Sequence, residues 1–172
     1  MSRFDDCFDI VVGNEGGYVN DKADHGGATK FGITESVAKA SGYAGEMRNF
    51  PISQAKLIYA SGYWKPCHCD LIGAPLDLVV FDTAINCGAH AAVKMLQQAL
   101  GVEADGAWGE ETLHAVKTSH LAGAALMMLN IREQFYRKLA DRDATQERFL
   151  RGWLNRVEAL RDYVEGVKGH GA

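Results

Sequence analysis

Leu76-Asp77-Leu78-Val79-Val80-Phe81-Asp82-Thr83-Ala84-Ile85-Asn86-Cys87-Gly88 is the stretch on which the fold turns. Read as a helix, it is apolar nearly all round, through Leu78, Val79, Val80, Phe81, Ala84 and Ile85. A helix of that composition belongs in the centre of a domain, covered by other elements. Asp82 inside it needs a partner to be tolerated; a backbone group or His25 is the expected one. Toward the C-terminus, Ala89 to Leu100 reads as a second helix ended by Gly101, and Val102 to Trp108 as a turn. Trp108 is expected to clasp neighbouring helices. Glu110 to Thr118, Ser119 to Ala140 and Thr145 to Val167 are further helical stretches. The last carries Phe149, Leu150, Trp153, Leu154, Val157, Leu160 and Val164 at helical spacing.

Toward the N-terminus, Ser53 to about Tyr63 reads as a helix that Pro66 prevents from continuing. Thr34 reads as the N-cap of a short helix through Ala40. Phe4, Phe8, Val11 and Val12 mark one face of a first helix, expected to run from near Ser2 to Gly16-Gly17. Alternation of period two is confined to a brief stretch around Lys30 to Thr34. The fold class is all-α, with at most a very short β element near residues 28–34.

The 172 residues make one ordinary domain or two small ones. A chain of this size buries roughly 70% of its unfolded surface, so it needs neither disulfide nor metal to hold a core. Hydrophobic residues are 47% and charged residues 23% of the chain, which excludes a disordered composition. The net charge of −4 argues against a nucleic-acid binder that relies on a basic surface. The longest apolar run, Leu121 to Leu129, is nine residues against the roughly 20 a membrane span needs. Met1-Ser2-Arg3-Phe4-Asp5-Asp6 carries acids where a secretory signal needs a basic head and an apolar stretch. The expectation is synthesis in the cytoplasm without a signal peptide.

Cys7, Cys67, Cys69 and Cys87 are expected to be reduced thiols packed as small hydrophobes. Cys67-His68-Cys69 has the look of a metal half-site. It has no second Cys or His pair at zinc spacing, so neither a metal nor a cofactor is expected. Charge is uneven: residues 1–110 hold 8 basic and 14 acidic side chains, residues 111–172 hold 10 and 8. Seven of the nine arginines fall between Arg132 and Arg161, interleaved with acids. That pattern reads as a solvated helix face.

The polar stretch from Glu15 to Thr34, with Gly16, Gly17, Gly26, Gly27 and Gly32, is too long for a mere linker. Glu15 falls at the expected C-terminal end of the first helix, where the dipole disfavours a carboxylate and raises its pKa modestly. Tyr18 and Phe31 add apolar surroundings. A carboxyl that keeps its proton near neutrality is what a general acid requires. Asp24 follows nine residues later and Thr29 five after that. Two carboxylates flanking a bond, one protonated and one ionised, are the minimum for glycoside hydrolysis. A hydroxyl beside the ionised one helps hold water. Taken singly, each has an ordinary explanation: a helix-end charge, a turn residue and a strand former.

Glu15-Gly-Gly-Tyr18 followed by Asp24-His-Gly-Gly-Ala-Thr-Lys-Phe-Gly-Ile-Thr34 resembles the signature of glycoside hydrolase family 108, muramidases of phages and secretion systems that cut peptidoglycan. The resemblance continues at Tyr63-Trp64 and at Phe81-Asp-Thr-Ala-Ile-Asn-Cys-Gly88. Leu96-Gln-Gln-Ala-Leu-Gly-Val102 and Ala104-Asp-Gly-Ala-Trp-Gly109 resemble the peptidoglycan-binding segment that follows in such proteins. The resemblance implies a lysozyme-like helical fold, with residues 1–89 as catalytic region and 90–167 as binding region, packed as one compact unit. It implies Glu15 as the catalytic acid, with Asp24 and Thr29 completing the catalytic set. The order of Glu, Asp and Thr is similar to the triad of other phage lysozymes, with Thr29 one residue nearer the Asp.

Aminosugar rings present an apolar face and polar edges, so a cleft for them wants aromatics and amide partners. Tyr18, Tyr63, Trp64 and Asn86 are the candidate substrate contacts, with His25 and Phe31 of the motif. Trp64 reads equally as a core aromatic. The implied activity is an endo-N-acetylmuramidase cutting the β-1,4 bond between N-acetylmuramic acid and N-acetylglucosamine. The alternatives are a lytic transglycosylase, which needs one carboxylate and leaves an anhydro sugar, and a non-catalytic wall-binding accessory. A cysteine peptidase using Cys87 and His90 is a fourth option. The implied partners are peptidoglycan and a holin or secretion apparatus for release; a monomer acting in the periplasm or on the wall is expected. With a net negative charge, wall binding has to be local and only modestly salt-sensitive, through the arginine-bearing C-terminal helices.

Overall fold

The nearly all-apolar stretch forms helix α4, Leu76–Cys87, and every residue from Leu76 to Ala84 is buried. The computed structural model describes residues 2–13, 17–19 and 28–169. Among them the architecture is all-α and lysozyme-like, with a single two-stranded sheet. The chain divides into two compact units, Met1–Trp64 and Lys65–Ala172.

In the first unit, α1 spans Arg3–Val11. Ser2 caps it reciprocally: its hydroxyl accepts from the Asp5 amide, and the Asp5 carboxylate accepts from the Ser2 amide. The helix stops short of the expected glycine pair. Gly13, at φ +79°, takes the left-handed step just past Val12, whose amide still bonds Phe8. Phe4 and Phe8 on its apolar face meet Trp64 and Tyr59 edge-on, at ring-centroid distances of 5.4 and 5.5 Å. Lys56 Nζ reaches back to Asp5 at 2.6 Å. That contact and the Ser2 hydroxyl hold the Asp5 carboxyl well below the usual range.

Thr34 caps α2, Glu35–Ala40, its hydroxyl accepting from the Val37 amide, as the sequence predicts. Helix α3, Ile52–Tyr59, runs on as a π-type turn over Ala60–Trp64, so the helical run reaches the limit expected near Tyr63. Such wide turns commonly occur next to functional positions. The expected brief β element is present: β1, Thr29–Lys30, pairs antiparallel with β2, Ile33–Thr34.

In the second unit, α4 packs against α5, Ala89–Leu100, and α7, Leu121–Arg142; α7 in turn packs along α8, Glu147–Gly169. Helix α6, Glu110–Thr118, lies against α5. Gly101, at φ +71°, ends α5 where the sequence places its end. Helix α7 starts two residues later than expected, because the His120 ring accepts from the Gly123 amide and acts as the cap. Asp143 accepts from the Thr145 amide and hydroxyl, which holds its carboxyl below the usual range. These bonds shape a short 3₁₀ turn, Ala144–Gln146, that delays α8 to Glu147.

Asp82 finds side-chain partners on α7 and α8 rather than the expected backbone group, and His25, the other expected partner, lies outside the described residues. Arg132 Nη1 donates to Oδ2 at 2.6 Å and Arg156 Nε to Oδ1 at 2.7 Å. Arg132 is 0% exposed, so this arginine is part of the core and not of a solvated face. Burial opposes its charge, but the Asp82 carboxylate and the Tyr136 hydroxyl overcome that and hold its pKa above the ordinary value. Burial also pushes the Tyr136 hydroxyl up to about 12.

The turn after α5 is held by one side chain. The Gln97 amide donates to Asp105, to the Ala107 carbonyl and to Thr112, and its oxygen accepts from the Gly106 amide. A Cβ at Gly106 would collide with the His90 ring. Trp108 stacks on the His68 imidazole, with centroids 4.9 Å apart, instead of clasping helices. All four cysteines are free thiols, and burial pushes Cys67 up to about 12.

Candidate active site

Glu15, Asp24 and His25 lie outside the described residues. The framework on either side of them is described. Tyr18, Thr29 and Phe31 are brought together by pairing of the backbone. Val19 bridges Thr29, with reciprocal amide-to-carbonyl bonds of 3.0 and 2.8 Å. Thr29 then faces Thr34 across the hairpin. The two turn residues, Phe31 and Gly32, both have positive φ, +53° and +71°. This is the two-residue turn whose twist matches a hairpin, and it ordinarily takes Asn or Gly at its first position.

Phe31 is held in that conformation from outside the hairpin. The Tyr59 hydroxyl, on α3, donates to the Phe31 carbonyl at 3.0 Å in a buried setting. At Gly32 a Cβ would approach the same hydroxyl to 2.7 Å, so only glycine lets Tyr59 in. The Phe31 ring is 8% exposed and so anchors the turn in the core, with little surface left for a ligand.

Two cations that the sequence reading passes over flank this framework. The Arg48 guanidinium lies 5.3 Å from the Tyr18 ring centroid. Lys30 Nζ lies 5.3 Å from the Phe31 ring and donates to the Arg48 carbonyl at 2.7 Å. The one signal that points to Arg48 is its isolation: Arg3 is the only other arginine before Arg132. Both cations sit on the half of the chain that is net acidic.

Tyr63 lies on the wide turn, partly exposed, with its ring 5.6 Å from that of Tyr59. Trp64, 2% exposed against Phe4, adopts the core position. Asn86 stands on α4 in the second unit, exposed, its amide nitrogen donating to the Asp82 carbonyl at 2.8 Å. Helix α1 ends four residues before Glu15. A helix dipole acts within the last turn, so it does not support the expectation drawn from the sequence for Glu15. Among the described residues no group of His, Cys, Asp and Glu is arranged to hold a metal. Among them, too, no helix is long and apolar enough to cross a membrane.

Comparison with known proteins gives three findings. Residues 8–88 match the sequence model of the family described as Glycosyl hydrolase 108. Residues 91–158 match that described as Predicted Peptidoglycan domain. The solved structure of SagA from Brucella abortus is similar at a TM-score of 0.78 and 30% identity, over 95% of this chain and 94% of that one. No curated protein matches the chain significantly. The boundary between the two sequence matches falls at the α4–α5 junction, whereas the compact units divide before α4. Helix α4 is thus contiguous in sequence with the first match, yet buries its surface on α5 and α7.

Proposed function

This chain belongs to the glycosyl hydrolase 108 family and is a lysozyme-type hydrolase of peptidoglycan, and from that premise we propose that Glu15 is its general acid. The bond cut is the β-1,4 link between N-acetylmuramic acid and N-acetylglucosamine. Glu15 gives its proton to the bridging oxygen as the bond from the muramic C1 breaks. Asp24 stabilises the cationic sugar or, with the Thr29 hydroxyl, holds the water that attacks it. The attacking water adds its hydroxyl to C1 and gives its proton to Glu15, directly or through Asp24 and solvent, so each turnover consumes one water and leaves Glu15 protonated and Asp24 ionised.

One observation carries the reading. Glu15, Asp24 and Thr29 all fall within the single stretch matched to the hydrolase family, and of these Thr29 is paired with Val19 and stands beside the turn that Tyr59 holds. Tyr18 and Tyr63 serve as sugar platforms, with His25 as a polar contact. The enzyme is synthesised in the cytoplasm and released to the wall through a holin or a secretion apparatus.

Glu15→Gln is the test. It keeps size and polarity and removes the transferable proton. Hydrolysis of purified peptidoglycan is expected to fall by about 10²–10⁴-fold while circular dichroism and the unfolding midpoint stay unchanged. A fully active Glu15→Gln enzyme contradicts the assignment.

A further inference from the structure

The sequence nominates the C-terminal arginines for contact with the wall, but the fold has engaged five of the seven. Arg132 and Arg156 are spent on Asp82. Arg137 and Arg161 both pair with Glu133, at 2.8 and 3.1 Å. Arg148 covers the Phe149 ring.

The second unit offers different cations. A groove of about 530 Å³ runs between α5 and α7. Its floor is apolar, formed by Met95, Ile131 and Phe135, and the Phe135 ring is 40% exposed. Its two walls carry the same pair of chemistries: Lys94 and Gln98 on α5, Lys138 and Gln134 on α7. All four polar side chains are exposed, and among the described residues none has a hydrogen bond or an ion pair.

We propose that this groove binds the carboxylate-bearing peptide stem of peptidoglycan. The inference rests on peptidoglycan being the substrate and adds which part of it the second unit holds. Two unpaired ammonium groups on opposite walls suit a short chain with more than one carboxylate. Glutamine amides, which both donate and accept, suit its peptide bonds. An apolar floor suits alanine methyls, and the volume suits a short peptide. A glycan strand is a poorer match, because sugar rings want flat aromatic platforms and the groove has one ring. The chain as a whole is net −4, so the attraction is local and acts at short range.

The test uses the full chain and two probes: a tetrapeptide stem with free carboxylates, and the same peptide as its carboxamide. Titration followed by NMR is expected to move amide signals of α5 and α7 with the acid form. The carboxamide and the Lys94→Gln/Lys138→Gln variant are each expected to bind about tenfold more weakly. The same variant should be retained less on purified sacculi yet cleave peptide-free glycan strands at the wild-type rate. Equal binding of acid and carboxamide overturns the proposal, as does unchanged binding by the double variant. Shifts in the groove that grow with protein concentration alone also overturn it, by marking a second copy as the occupant. If stem binding follows the expectation but the wild type leaves peptide-free glycan intact, the groove assignment stands and the hydrolytic reading fails.

Discussion

The hairpin of the first unit and the α4–α7–α8 core of the second solve opposite problems. In the core, regular helices bury a charge: Asp82 and Arg132 are both inside, and the guanidinium is bonded to the carboxylate, to Thr83 and to Tyr136. In the hairpin, an irregular backbone with no charged group in the turn is fixed by one neutral bond, from Tyr59 to the Phe31 carbonyl. The core gains definition from side chains far apart in sequence. The hairpin gains it from a two-residue turn that one tyrosine holds in place. Such a turn can present Thr29 and the backbone beside it without committing that hydroxyl to the core.

Three substitutions probe this contrast, and the largest effect is expected in the core. Asp82→Asn leaves Arg132 buried without its counter-charge and Arg156 without its partner. Removing one member of a buried pair costs about 3–5 kcal/mol, so urea unfolding should shift by that amount. A shift under about 1 kcal/mol would mean that the pair is dispensable and that apolar packing alone holds α4 to α7.

Tyr59→Phe removes a single hydroxyl from the hairpin. The Phe31 carbonyl then loses its buried donor, at a cost of about 1–3 kcal/mol. Peptidoglycan hydrolysis should fall by more than the stability change explains, because the hairpin that this turn closes carries Thr29. Loss of stability with full activity would separate the hairpin from the chemistry.

The smallest effect at neutral pH belongs to Cys67. Its thiol is buried and neutral, raised from 9.0 to about 12. A folded-state pKa above the unfolded one contributes stability that is whole below pH 9 and is lost as pH rises toward 12. Tyr136, raised from 10.0 to about 12, adds a second loss that begins about a unit later. Thermal unfolding of Cys67→Ala followed across this range should show the decline starting nearer pH 10. An unchanged onset would assign the alkaline limit to another group.

These regions also differ in how far they can be read from the chain. Helix α4 is legible because it is apolar nearly all round, and α5 because Gly101 stops it cleanly. The end of α1 is misread: two adjacent glycines outweigh the single Gly13 in a scan, but the chain takes the first residue able to adopt positive φ. The burial of Arg132 is not legible, since its partner is 50 residues away and local spacing places it among surface arginines. The same reasoning explains the groove. Lys94 and Lys138 lie on helices separated by α6 in sequence, and nothing local pairs them. At the candidate site the run from Thr29 to Thr34 is legible as a motif and as a brief hairpin. Arg48 over Tyr18 is not, because that contact is made from a three-residue 3₁₀ turn, Met47–Asn49, too short to leave a periodic signature.

The most direct test of the account is the identity of the ends made when the wild-type enzyme digests purified peptidoglycan. Mass analysis of the released fragments should find N-acetylmuramic acid at the new reducing end, with one water added for each bond cut. Anhydro-muramic ends, or reducing N-acetylglucosamine ends, would contradict it.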